Sequence, residues 1–211
     1  MSLIYRRAAK PALLQRKIEK SLFIARVVPL TGEKKAETII QEIREAFCDA
    51  THHVPAFILG DRGEYEKMSD DGEPTGTAGL PVLNALKNRS LTYTLVIVTR
   101  YFGGIKLGTG GLARAYGGLA GAALDQAGYV SIGAFQRFPF RCDYKTYQRI
   151  SRPAHKTDFA LTDVTFGSDV LIYIECDSEK EEKTRRFLTD ISAGSACLGP
   201  SIPVLRVLPA E

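Results

Sequence analysis

Hydrophobic and polar positions change period several times along the 211 residues, and each change predicts an element. Residues 11 to 17 and 20 to 30 read as two extended segments. In the second, Phe23, Ala25 and Val27 share one face, while Leu22, Ile24 and Arg26 share the other. Ile39, Ile40, Ile43, Ala46 and Phe47 recur at helical spacing, which predicts an amphipathic helix to about Asp49. Thr31 is its expected cap, with Lys34 at the third position. A strand over 53 to 60 closes in the turn Gly60-Asp61-Arg62-Gly63. The segment SDDGEPTGTAG (69 to 79) predicts a loop, followed by a short helix from near Thr77 to about Asn88. LTYTLVIVTRY (91 to 101) is apolar on both faces in its middle, as a central, doubly covered strand requires. A Gly-rich loop at 103 to 111 then leads into a helix over about 110 to 127. Leu112, Tyr116, Leu119 and Ala123 form its stripe, Gly117 and Gly121 allow close packing, and Gly128 is its stop.

The pattern resets near Gly133. Phe138, Phe140 and Cys142 alternate with Arg137, Pro139 and Arg141, as in a half-buried strand. Tyr147, Ile150, Ser151 and Ala154 mark a helix. Strands over 158 to 166 and 170 to 176 flank the hairpin turn Gly167-Ser168-Asp169. Ser178 with Glu181 forms a capping box ahead of the stripe Thr184, Phe187, Leu188 and Ile191, and a last strand lies within 201 to 208. The order βαββαβ is that of a ferredoxin-like domain. The expected organisation is α+β, with one domain over 1 to 132 and a second over 133 to 211.

A content of 45% hydrophobic and 25% charged residues is that of a chain with a packed core. No stretch reaches the roughly 18 to 20 consecutive apolar residues of a membrane span, and the basic N-terminus is no secretory signal. A cytoplasmic, non-membrane protein is expected. Cys48, Cys142, Cys176 and Cys197 form no C-x-x-C pair, so they read as lone buried thiols, and no metal or cofactor is expected. Net charge is +4 but uneven: residues 1 to 26 carry seven Lys/Arg against Glu19 alone. That segment either attracts phosphate or is the solvated face of two strands.

The glycine loop is the first candidate for chemistry. A strand feeding glycines and a helix N-terminus presents unpaired backbone N–H groups and a positive dipole end, which suits an anion. The candidate anion or nucleic-acid ligands are Arg100, Gly103, Gly104, Lys106, Gly108, Gly110, Gly111 and Arg114. A Walker pattern fails because Leu107 follows Lys106. Gly108, Gly110 and Ala113 match a dinucleotide fingerprint, yet the acid expected about 20 residues later on a second strand is missing. The glycines otherwise serve tight packing. Asp70, Asp71 and Glu73 would bind a metal or act as acid and base; alternatively their side chains bond their own turn, the simpler reading. His52 and His53 point to opposite faces of a strand. His53 is the candidate base if the protein is an enzyme, and a structural histidine otherwise. His155 reads as a surface residue.

DDGEPTGTAGLPVL (70 to 83) followed by VTRYFGGIKLGTGGLARAY (98 to 116) resembles the signature of the IMPACT family, and the segment around His53 fits as well. The resemblance covers about residues 12 to 128, and the βαββαβ tail is similar to the second domain of bacterial members. The chain departs at Val54-Pro55-Ala56-Phe57, where relatives often carry a Cys and aromatic residues after the His. The resemblance implies a ribosomal S5 domain 2-like fold followed by a ferredoxin-like domain akin to domain V of elongation factor G. It also implies a link to the regulation of translation, which eukaryotic members exert through a protein partner.

Three readings follow. The first is a non-catalytic protein that binds RNA or the ribosome. The second is a hydrolase of a phosphorylated or peptide substrate, with His53 as base and Asp70, Asp71 and Glu73 holding a metal. The third is an adaptor with a protein partner, which an exposed apolar patch on the second domain would favour.

Overall fold

A computed structural model describes residues 3–152 and 158–208. The chain divides into two compact units, a first of residues 5–131 and a second of residues 132–208 together with Leu3 and Ile4. Ala154 and His155 lie outside the described residues.

Leu3 and Ile4 of β1 (Leu3–Ala8) group with the second unit; the first unit holds the rest of β1, then β2 (Ala12–Ile18), β3 (Ser21–Pro29), α1 (Glu33–Ala46), β4 (His52–Leu59) and β5 (Tyr65–Met68). After these come α2 (Gly79–Lys87), β6 (Thr94–Tyr101) and α3 (Gly108–Ala127). Its sheet has the order β2-β3-β6-β4-β5, antiparallel throughout. β6 is central, with Thr94 to Arg100 all buried, because its two faces meet different layers. Val96 and Val98 join Phe23, Ala25, Val54 and Ala56 beneath α2 and α3. Leu95 and Ile97 pack with Phe57, Ile39 and Ile43 beneath α1. Each large side chain fully buried in this way contributes about 1.5–3 kcal/mol.

Some local expectations change. β5 is an element the alternation does not predict, since YEKM is exposed at all four positions; the charges of Glu66 and Lys67 on this edge strand discourage pairing with another chain. Thr31 does not cap α1: Gly32 occupies that position without a side-chain bond. The helix α3 starts at Gly108, so Gly108, Gly110 and Gly111 belong to its first turn rather than to a preceding loop. Gly117 lies against Pro81 of α2, where an added Cβ would stand 3.3 Å from Pro81. Gly128 ends α3 with φ +65°, its N–H bonded to Leu124 and Asp125 carbonyls.

The second unit takes in most of β7 (Tyr129–Cys142), with α4 (Tyr144–Ile150), β8 (Phe159–Phe166), β9 (Val170–Asp177), α5 (Glu181–Ile191), β10 (Cys197–Leu198) and β11 (Ile202–Val207). β11 pairs with β7, β7 with β9, and β9 with β8, all antiparallel. That order is the ferredoxin-like arrangement. Phe138, Phe140, Ile172, Ile174 and Leu188 form its core. The Ser178–Glu181 capping box does not form. A 3-10 turn over Ser178–Lys180 intervenes, Asp177 accepts the Glu179 N–H, and Glu181 bonds Arg185 one turn on. Cys142 and Cys176 are buried, but Cys48 and Cys197 are exposed, against the expectation of four buried thiols. No helix among the described residues is long and apolar enough to cross a membrane.

Candidate functional site

Strand alternation and register together assemble the site. Arg100 pairs across the sheet with Phe23 on one side and His52 on the other, so three neighbouring strands present these side chains to the α2/α3 face. The middle of that face is apolar, and Arg100 lies at one end of it. There the Arg100 side chain is 5% exposed and its Nη1 donates to Glu73 Oε1 at 2.6 Å, while the Glu73 side chain is 4% exposed. The Tyr116 hydroxyl, from the middle of α3, donates to the same oxygen at 2.7 Å. Burial, and then the bond to Glu73, push the Tyr116 pKa far above its ordinary value, so the phenol stays a donor. Arg100 Nη2 donates to Ser21 Oγ at 3.2 Å, and its guanidinium lies 5.2 Å from the ring centres of both Phe23 and Phe102. Arg100 Nε is buried without a hydrogen-bond partner among the described residues.

The acidic residues separate into three roles. Asp70 ties its own loop to α2: Oδ1 accepts the N–H groups of Ala78 and Gly79, and Oδ2 that of Gly76. Burial raises its pKa, but these three bonds outweigh burial and hold the carboxyl below its usual value. Asp71, at φ +47°, accepts from Arg44 Nη2 and from the His53 N–H. Only Glu73 faces the buried cluster. Among the described residues no three His, Cys, Asp or Glu side chains are grouped to hold a metal ion.

The two histidines exchange their expected parts. On the α1 face, His53 Nε2 donates to the Phe47 carbonyl at 3.0 Å, and Nδ1 accepts from the Thr99 hydroxyl at 3.1 Å. Both nitrogens are engaged and the residue is 7% exposed, as suits a structural histidine. His52 instead donates from Nδ1 to the Asp71 carbonyl at 2.7 Å, since a carbonyl only accepts. Its Nε2 stands 3.8 Å from Glu73 Oε1.

Gly103 and Gly104 bridge β6 to α3. An added Cβ on Gly103 would stand 2.0 Å from the Lys20 carbonyl oxygen, and its N–H reaches Ser21 Oγ, so this glycine is required by close approach. Gly104 turns with φ +85°. The first turn of α3 carries no side-chain cap and no acid, and Gly108, Thr109 and Gly110 are exposed. Lys106 and Arg114 are exposed at either side of that turn, and a Cβ on Gly110 would lie 3.6 Å from Arg114 Nη1. His52, Glu73, Arg100, Phe102, Lys106 and Thr109 line one cleft of about 380 Å³, with Leu112 among the residues closing it. Sequence reasoning missed His52, Tyr116, Ser21 and Phe102 as members. The alternating positions of His52 and His53 were visible, but which face carries the cleft was not.

On the second unit, Phe166, Ile202, Leu205 and Val207 are about half exposed, at 57%, 55%, 49% and 54%.

The Impact N-terminal domain matches residues 19–124, and a domain of unknown function (DUF1949) matches residues 140–195. The chain is 35% identical over 179 residues to IMPACT family member YvyE of Bacillus subtilis, covering 85% of this chain and 82% of that protein. It is 32% identical over 189 residues to IMPACT family member YigZ of Escherichia coli, covering 89% and 93%. A crystal structure described as that of a hypothetical protein superimposes with TM-score 0.63 at 31% identity, covering 94% of this chain and 98% of that one.

Proposed function

The chain belongs to the IMPACT family, and on that premise we propose that it is a non-catalytic module binding RNA or the ribosome through phosphate contacts, in the regulation of translation. The observation that carries this reading is the open N-terminus of α3. Its first-turn N–H groups and dipole end face solvent with no side-chain cap and no acid in that turn, between Lys106 and Arg114. Arg16, Lys17 and Lys20 are exposed on β2 and the turn that touches Gly103, extending the positive surface. Arg26 does not join them: it lies over Phe47, and burial lowers its pKa. Arg100 acts from within, as a buried charge behind the helix end, and a cytoplasmic setting accompanies the role.

Binding of a mixed RNA pool and of ribosomes, measured at several salt concentrations, tests this. Affinity should fall steeply with salt, and Lys106→Ala/Arg114→Ala should reduce the slope of log K against log salt by about 2. Binding indifferent to salt, or to both substitutions, would overturn it.

One observation favours a second reading, a hydrolase. The Asp71 carbonyl fixes the proton of neutral His52 on Nδ1, leaving Nε2 as an acceptor at the cleft. His52 then replaces His53 as the base, and the Asp70 and Asp71 carboxylates take no part. Turnover of a phosphoester panel by the purified protein, abolished in His52→Ala, is the observation that would move this reading ahead.

A further inference from the structure

Resting on the RNA-binding reading, we propose that the second unit carries a contact of its own for single-stranded RNA. Tyr144 and Phe166 stack bases there, and cations of α4 hold the phosphates beside them. Strand register explains how the two rings meet. Phe166 pairs with Val170, a buried residue of the helix-covered core, so its side chain turns to that same face at the end of the hairpin. Tyr144 opens α4 there, and its ring lies 6.2 Å from that of Phe166 with the planes 19° apart.

The pair is exposed and yet fixed. Phe166 is 57% exposed, more than any other large apolar side chain among the described residues, and Tyr144 is 46% exposed. The Tyr144 hydroxyl donates to the Gly167 carbonyl at 2.7 Å, in the turn after Phe166. The Tyr147 ring meets Phe166 edge-on at 5.3 Å. Leaving two such rings in water forgoes the free energy of burying them. What it provides is a held π-face, on which any base can stack.

Charge names the occupant. Residues 134–211 carry 11 basic and 11 acidic groups, but 141–152 carry Arg141, Lys145, Arg149 and Arg152 against Asp143 alone. Asp143 caps α4, accepting the Thr146 N–H at 2.7 Å. The acids of β8 and its turn are engaged as well, Asp163 by Arg137 and Asp169 by Arg141. Lys145 and Arg149 are exposed one helical turn apart, and Arg152 is exposed just past the end of α4. Arg149 is steadied by its bond to the Ile191 carbonyl at 2.6 Å. Among the described residues, no ion pair engages any of these three cations. Fixed aromatic faces beside such cations fit a polyanion with open base faces, which a single strand has and a duplex hides. An anionic membrane would take rings that protrude, whereas the Tyr144 hydroxyl is tied back to the turn.

Fluorescence anisotropy of the full chain with a labelled RNA of about 12 nucleotides, single-stranded or annealed to its complement, tests the proposal. The single strand should bind at least about tenfold more tightly than the duplex. Tyr144→Ala and Phe166→Ala should each weaken the single strand roughly 5- to 150-fold and leave the duplex unchanged. Phe166→Trp should restore binding, which separates stacking from any folding defect. Lys145→Ala/Arg152→Ala should reduce the slope of log K against log salt by about 1.4. A duplex bound as tightly as the single strand, or a single strand indifferent to both aromatic substitutions, overturns the proposal. So does a loss that Phe166→Trp fails to restore, or an unchanged salt slope. Vesicles of phosphatidylcholine and phosphatidylserine that bind only while the rings are present, with RNA indifferent to them, would also overturn it, assigning the patch to a membrane. RNA binding that ignores Tyr144 and Phe166 but still depends on Lys106 and Arg114 leaves the reading of the first unit standing. The reverse pattern sinks that reading and keeps this one, so the two failures are distinguishable.

Discussion

The two units place their charges differently. In residues 5–131, the cation–anion pair of Arg100 and Glu73 sits inside, with side chains 5% and 4% exposed, and is completed by Tyr116 and Ser21. In residues 132–208, Lys180 and Lys183 on Asp158 and Arg186 on Glu182, at 76% and 74% exposure, lie at the surface, while Glu175 is buried but pairs outward with the half-exposed Arg206. Surface pairs contribute little to stability, because water competes for both partners. A buried pair has no such competitor, so the loss of one partner is felt fully. This pair also lines the cleft.

The largest effect that would sharpen this contrast is at Glu73. Glu73→Ala leaves Arg100 buried and unpaired and should cost about 3–5 kcal/mol in urea unfolding. Glu73→Leu/Arg100→Met removes both charges and should recover most of that loss, while still altering the cleft. A double variant as unstable as the single would mean that packing, not the unpaired charge, sets the cost.

A smaller effect is expected at Asp70, whose bonds hold the loop that delivers Glu73. Asp70→Ala should cost about 2–3 kcal/mol, the worth of charge-assisted bonds to backbone N–H groups. Because the folded pKa lies below the ordinary 3.8, the carboxylate's contribution is present in full above that value. It is lost as pH falls through the folded pKa. Stability of the wild type relative to Asp70→Ala should therefore be flat from neutral pH to about pH 5 and shrink below about pH 4. A constant difference down to pH 2 would show that the loop is held by something else.

The smallest effect belongs to the second unit. Arg186→Ala should change stability by no more than about 0.5 kcal/mol. A loss matching that of Glu73→Ala would break the comparison, since exposure would then not separate the two kinds of pair.

Much of the architecture was legible along the chain. Alternation at Phe23, Ala25 and Val27, the doubly apolar run ending at Arg100, and the period-3.6 stripe of Leu112, Tyr116, Leu119 and Ala123 each fix an element and its buried face. The βαββαβ order fixes the second unit's topology, and the paired blocks at 70–83 and 98–116 mark the family. Caps were less legible, at Thr31 and Ser178, because several neighbouring polar residues compete for one helix end and tertiary packing chooses among them. The site was least legible. Sequence put Asp70, Asp71 and Glu73 in one acidic loop, but only the folded loop shows Asp70 closing its own turn, Asp71 holding His53, and Glu73 buried against Arg100. The same holds for His52 and His53: alternation says that they part, whereas the sheet register and the helix covering each face decide which one meets the cleft. Local periodicity is set by the backbone geometry of a single segment. A buried charge cluster depends on contacts between residues as far apart as Ser21 and Tyr116, and only the tertiary structure brings those together.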